Sequence, residues 1–153
     1  MLNDLRACWA LLIGIGFMML GNGLQGTLLG VRATLEGFST STTGIMMSGY
    51  FVGIFAGSII APKLVQRVGH IRVFAALASL ASISILVHAL YVNAVTWTGM
   101  RLITGLSYAG LYVVAESWLN DRATNETRGQ ILSVYMLVSY IAVGIGQLLL
   151  LPY

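Results

Sequence analysis

"VFAALASLASISILVHALYVNAVTWTGMRLITGLSYAGLYVVAESW" runs from Val73 to Trp118 and carries two charged residues, Arg101 and Glu116. A helix that crosses the hydrocarbon core of a bilayer needs about 20 consecutive apolar residues. This stretch is too long for one such helix and its loop. It reads as two spans, Val73–Val92 and Val95–Leu119, joined by an uncharged turn within "YVNAVTW".

The rest of the chain follows the same pattern. No Asp, Glu, Lys or Arg occurs from Ala7 to Val31, from Gly37 to Pro62, or from Gly129 to Tyr153. Three further spans follow: Cys8–Leu29, Gly44–Val65 and Gln130–Leu151. Hydrophobic residues make up 58% of the chain and charged residues 8%, against about 25% charged in a soluble domain. The expected fold is therefore all-α, a polytopic membrane bundle of five helices forming one membrane domain over residues 1–153. The first apolar run is too long for a signal-peptide core, and no small-x-small site follows it, so this span is expected to be retained. Cys8 is the only cysteine, which excludes an intrachain disulfide.

Orientation follows from the basic residues, which concentrate in cytoplasmic loops. Arg6, Lys63, Arg67, Arg72, Arg122 and Arg128 fall on the N-terminal side of the membrane, and Arg32 on the other. The N-terminus is thus expected in the cytoplasm. Tyr91, Trp97 and Tyr153 are then expected as aromatic anchors near the outer interface.

Several motifs stand out within the spans. Gly49, Gly53 and Gly57 repeat every fourth residue, which strips one helical face and admits another backbone. Static packing and a sliding surface both fit that pattern. Asn22 and Gln25 share a face of the glycine-rich first span, because residues three apart are neighbours on a helix. These amides either bond a neighbouring helix or line an aqueous cavity. Arg101, Gly105, Tyr108, Tyr112 and Glu116 fall within roughly 80° of one another on one helical face. The two charges stand about 22 Å apart along the axis, so they are separate devices.

Glu116 lies level with Arg67, Arg72 and Arg128 and is expected to pair with one of them. Arg101 lies at the depth of Asn22, Gln25 and Gln147, with Glu36 within reach from the first connection. An arginine among amides marks a functional site facing a bundle interior. The alternative is a side chain that snorkels to the interface. His88 reads as a surface or hydrogen-bonded histidine before a proton relay. No His, Cys and acid cluster suits a metal, no nucleophile has a base, and no loop would cradle a phosphate. Neither an enzyme nor a cofactor is expected, and no nucleic acid as a partner. No internal repeat is legible.

"PKLVQRVGHIR", Pro62 to Arg72, resembles the G-x-x-x-D-R-x-G-x-R-R signature of the major facilitator superfamily. Arg67 and Gly69 match, Arg72 lies in the basic tail, and Pro62 and Gln66 replace the signature's glycine and aspartate. Arg101-x-x-x-Gly105 is similar to the family's fourth-helix pattern, and Glu116 with Arg128-Gly129 to its fourth cytoplasmic connection. "ESWLNDRATNETRGQILSVYMLVSYIAVGIGQLLL" resembles the YcaD-like branch.

The resemblance implies an incomplete amino-terminal half of a secondary transporter in a bacterial inner membrane, without the sixth helix and the second half. It implies transport of a small solute, with protons or another coupling ion, and a site among Asn22, Gln25, Arg101, Tyr108, Tyr112 and Gln147. It places Arg67, Gly69, Arg72, Glu116 and Arg128 in a cytoplasmic gating network. Partner helices can come from another chain. The alternative is a non-transporting membrane remnant or assembly partner.

Overall fold

Apolar sequence in lipid leaves the backbone no water to bond, so each span must satisfy its own amides as a helix. The computed structural model describes residues 2–150, with side chains from Cys8 onward. It contains α1 (Leu2–Leu35), α2 (Thr40–Val68), α3 (His70–Leu90), α4 (Ala94–Arg122) and α5 (Arg128–Leu148). Among the described residues, all five are long and apolar enough to cross a membrane. The expected end of the fifth span at Leu151, the anchor role of Tyr153 and the side chain of Arg6 lie outside the described residues.

The helices extend past the apolar runs at most ends, because polar residues cap and continue them. Ser39 caps α2, its hydroxyl accepting from Thr42 N at 3.1 Å. Asn93 does the same for α4, its Oδ1 accepting from Val95 N at 2.9 Å and Thr96 N at 3.2 Å. Such a side chain satisfies amides that the first turn leaves open. Between α2 and α3 stands one residue, Gly69, with φ 87° and ψ 161°. That region of backbone space is essentially reserved for glycine.

The chain gathers into two compact units. One holds α1 as far as Gly30 together with the chain from Ala115; the other is Val31–Val114. In the Val31–Val114 unit, α2 and α4 meet backbone to backbone. A Cβ at Gly53 would run into the Leu102 carbonyl, and one at Gly105 into the Tyr50 carbonyl. Gly49 and Gly57 face Thr98 O at 3.0 Å and Leu106 O at 2.5 Å by the same measure. In α3, Val73, Leu77, Ala81, Ser84 and His88 are buried, and Leu77 meets Gly110 of α4.

The other unit repeats the joint with different helices. A Cβ at Gly23 of α1 would run into the Val143 carbonyl, and one at Gly146 of α5 into the Leu20 carbonyl. In both pairs each glycine faces the carbonyl three residues before the partner glycine. Removing the side chains lets the helices approach closely enough for main-chain contact, which is how packing substitutes for a hydrophobic drive in lipid.

Candidate functional site

In the Val31–Val114 unit, the Gly49 contact brings α2 against the first half of α4, and a Cβ added at Gly49 would lie 3.8 Å from the Arg101 Cβ. Arg101 is 6% exposed. Its Cζ lies 4.3 Å from the centroid of the Tyr50 ring, the geometry of a cation held on an aromatic face. Its Nε and Nη1 are buried without a hydrogen-bond partner among the described residues. Glu36 does not serve it. That carboxylate accepts from Arg32 Nε at 3.3 Å, four residues earlier at the end of α1.

The surroundings of Arg101 are buried and partly aromatic. Tyr108 is 2% exposed and Tyr112 half-buried on the same helix. The hydroxyls of Thr104 and Ser107 bond their own helix at Met100 O and Ile103 O, 2.7 and 2.8 Å away. One turn before Arg101, Trp97 is fully buried, so it is not the lipid-facing anchor its sequence position suggested. Its Nε1 donates to Tyr91 O at 2.8 Å, which satisfies the indole inside protein; Tyr91 is exposed. Phe38 stacks edge-on to Trp97 at 5.3 Å, and Arg32 Cζ lies 5.8 Å from its centroid. His88 is buried, with Nδ1 2.6 Å from Ser84 O.

The remaining candidates divide between the units. In the unit with α5, Gln25 is 5% exposed, and both its amide atoms lack a partner among the described residues. Asn22 is half-buried and Gln147 exposed. Glu116 and Arg128 belong to this unit and are exposed, and they form no ion pair with each other. In the Val31–Val114 unit, Arg67, Gly69 and Arg72 surround the α2–α3 corner and are exposed.

Tyr50 and Gly146 had escaped the sequence reading, and Gly23 stood in it only as one glycine of the glycine-rich first span. Tyr50 follows the first glycine of the α2 stripe, and an aromatic there carries no polarity signal. Gly23 and Gly146 sit alone among glycines of no fixed period.

Five membrane-length helices, a glycine corner between α2 and α3, and a buried arginine on α4 form the frame for comparison with known proteins. The family model of the major facilitator superfamily matches residues 11–152. The chain belongs to the major facilitator superfamily. An uncharacterized MFS-type transporter of Yersinia pestis is 31% identical over 145 residues, which is 95% of this chain and 38% of that protein. The uncharacterized MFS-type transporter YcaD of Escherichia coli is 28% identical over 144 residues, 94% of this chain and 38% of its own length. The chain thus spans under two fifths of the curated relatives it matches. No solved structure matches it. As a member of the major facilitator superfamily, the protein is an integral membrane protein of a family of transporters, not enzymes.

Proposed function

We propose that the protein serves transmembrane passage of a small anionic solute, as the amino-terminal part of a secondary transporter. The observation that carries this reading is Arg101, buried over Tyr50 with Nε and Nη1 unpartnered among the described residues. A buried guanidinium without a counter-charge is costly in apolar surroundings. A carboxylate or phosphate group complements it by charge and by the planar fork of its donors. Between Val31 and Val114 the only carboxylate is Glu36, already paired with Arg32. The complement therefore comes from a solute or from residues beyond this unit.

The wider reading follows from the family. Asn22, Gln25, Tyr108, Tyr112 and Gln147 are proposed to line the solute path with Arg101. Arg67, Gly69, Arg72, Glu116 and Arg128 form the proposed cytoplasmic gate, with the N-terminus in the cytoplasm of a bacterial cell. Gly49, Gly53 and Gly57 are proposed as packing positions. Alternating access in such transporters rocks two bundles about a central site, and the relatives' additional length is the proposed source of the second bundle.

The test is uptake of a panel of small carboxylates and phosphates into vesicles. The chain is expressed alone and together with the remaining portion of the Escherichia coli relative. Uptake that requires this chain and fails with Arg101→Gln is the expected result. Uptake of neutral or cationic solutes only, unaffected by Arg101→Gln, rejects the anionic reading.

A further inference from the structure

Trp97, Arg101, Thr104 and Tyr108 fall within roughly 60° of one another on α4. All four are buried, at 0%, 6%, 0% and 2% exposure. They form one buried face of the Val31–Val114 unit. Trp97 stands first on it, one turn nearer than Arg101 to the α3–α4 connection. Successive spans alternate in direction, so that connection and the α1–α2 connection share one side of the membrane. A solute that comes along this face from that side meets Trp97 before the guanidinium. Helical side chains lean toward the start of their helix, so the indole leans toward the same side.

Groups from other parts of the unit roof the indole. Its centroid lies 5.3 Å from that of Phe38 and 5.7 Å from that of the His88 ring. Arg32 Cζ is 5.8 Å away, and Tyr91 O accepts from Nε1 at 2.8 Å. Phe38 and Arg32 belong to one short strap, Arg32–Ser39, which ends α1 and leads into α2. The shape of the strap is set locally. Gly37 N donates to Thr34 O at 3.1 Å and Phe38 N to Ala33 O at 3.0 Å, with Gly37 at φ 76°. That is the closure in which a left-handed glycine turns the chain back over its own helix. Beyond the turn, the strap is held down by an edge-on aromatic pair and by a cation over an aromatic face, each of modest strength. Glu36, Gly37 and Ser39 are exposed, and Arg32 and Phe38 half-buried. A segment with so little buried surface opens locally at small cost.

We propose that the Arg32–Ser39 strap and Trp97 form a lid over Arg101, closed in this structure and opened by release of Phe38 and Arg32 from the indole. Every part of the lid lies within Val31–Val114, so its opening needs no second bundle. That an anion passes it rests on the proposed function. That it governs access to the buried face does not, and access is measured without transport.

The experiment measures thiol reactivity in a Cys8→Ser background. Thr104→Cys reports access to the buried face just past Arg101 and keeps the guanidinium. Asn93→Cys reports open water on the side of the lid, and Ala81→Cys, buried on α3 at 2% exposure, reports the fold. Two small membrane-impermeant methanethiosulfonates, one bearing a sulfonate and one an ammonium group, are applied from the side on which Asn93→Cys reacts. Thr104→Cys should react slowly with an intact lid. Phe38→Ala and Trp97→Ala should each speed it at least about tenfold, and Arg32→Gln by less, with Asn93→Cys and Ala81→Cys unchanged. Fast reaction of Thr104→Cys with the lid intact overturns the proposal, and so does equally slow reaction in all three lid variants. A gain in Phe38→Ala that Ala81→Cys shares also overturns it, because the strap is then part of the fold and not a lid. A gain as large for the ammonium reagent as for the sulfonate keeps the lid and rejects the anionic-solute reading instead.

Discussion

Arg101 was legible in the sequence because a charge in an apolar run is conspicuous, and its seat was not. The guanidinium rests on Tyr50, and a tyrosine in an apolar helix looks like any other membrane residue. A desolvated cation on an aromatic face contributes about 2 kcal/mol. Tyr50→Leu should therefore lower the thermal stability of the detergent-extracted protein by at least about that amount; an unchanged midpoint would show that the ring contact contributes nothing. Arg101→Lys keeps the charge but loses the planar fork. If the fork grips an anion, uptake should fall at least about tenfold, a loss of roughly 1.4 kcal/mol, with expression matched. Full uptake by Arg101→Lys would reduce the site to a point charge.

The helices themselves were the most readable level. Charge-free runs mark four of them and the length of the apolar stretch from Val73 marks α4, since lipid forbids unpaired backbone, and the differences are confined to ends where caps such as Asn93 add or remove residues. The joints between helices were half readable. The regular period of Gly49, Gly53 and Gly57 announced a stripped face, but Gly23 and Gly146 form an equivalent joint with no period to announce it. Adding a methyl there forces main chains apart, and overpacking of this kind costs about 1–3 kcal/mol. Gly53→Ala, Gly105→Ala and Gly146→Ala should each lower the midpoint of thermal unfolding, while Gly14→Ala, with nothing within 4 Å of its added carbon, should leave it or raise it. Unchanged midpoints for all three packed glycines would show that the joints tolerate separation. Gly69→Ala should cost about 1–3 kcal/mol from backbone strain alone, since open space surrounds the added carbon.

At the level of the molecule, membrane residence and family were legible from composition and from three partial motifs together. The arrangement of the polar residues was not, because depth along a span says nothing about which face meets which. Gln147 and Gln25 share an expected depth, yet one is exposed and the other buried. Orientation rests on the basic residues. Single cysteines at Gln66 and Asn93, in a Cys8→Ser background, should react with a membrane-impermeant reagent from opposite sides, Asn93 from outside the cell. Reaction of both from outside would overturn the positive-inside assignment.

Gly69 is the whole of the link between α2 and α3, and this bears on how the chain is made. Two helices joined by one residue leave little slack for one to enter the bilayer well before the other. Insertion as a hairpin follows as the expected route, with Lys63, Arg67 and Arg72 near its bend carried to one side. Topology of this pair is thus expected to be decided once, for both helices together.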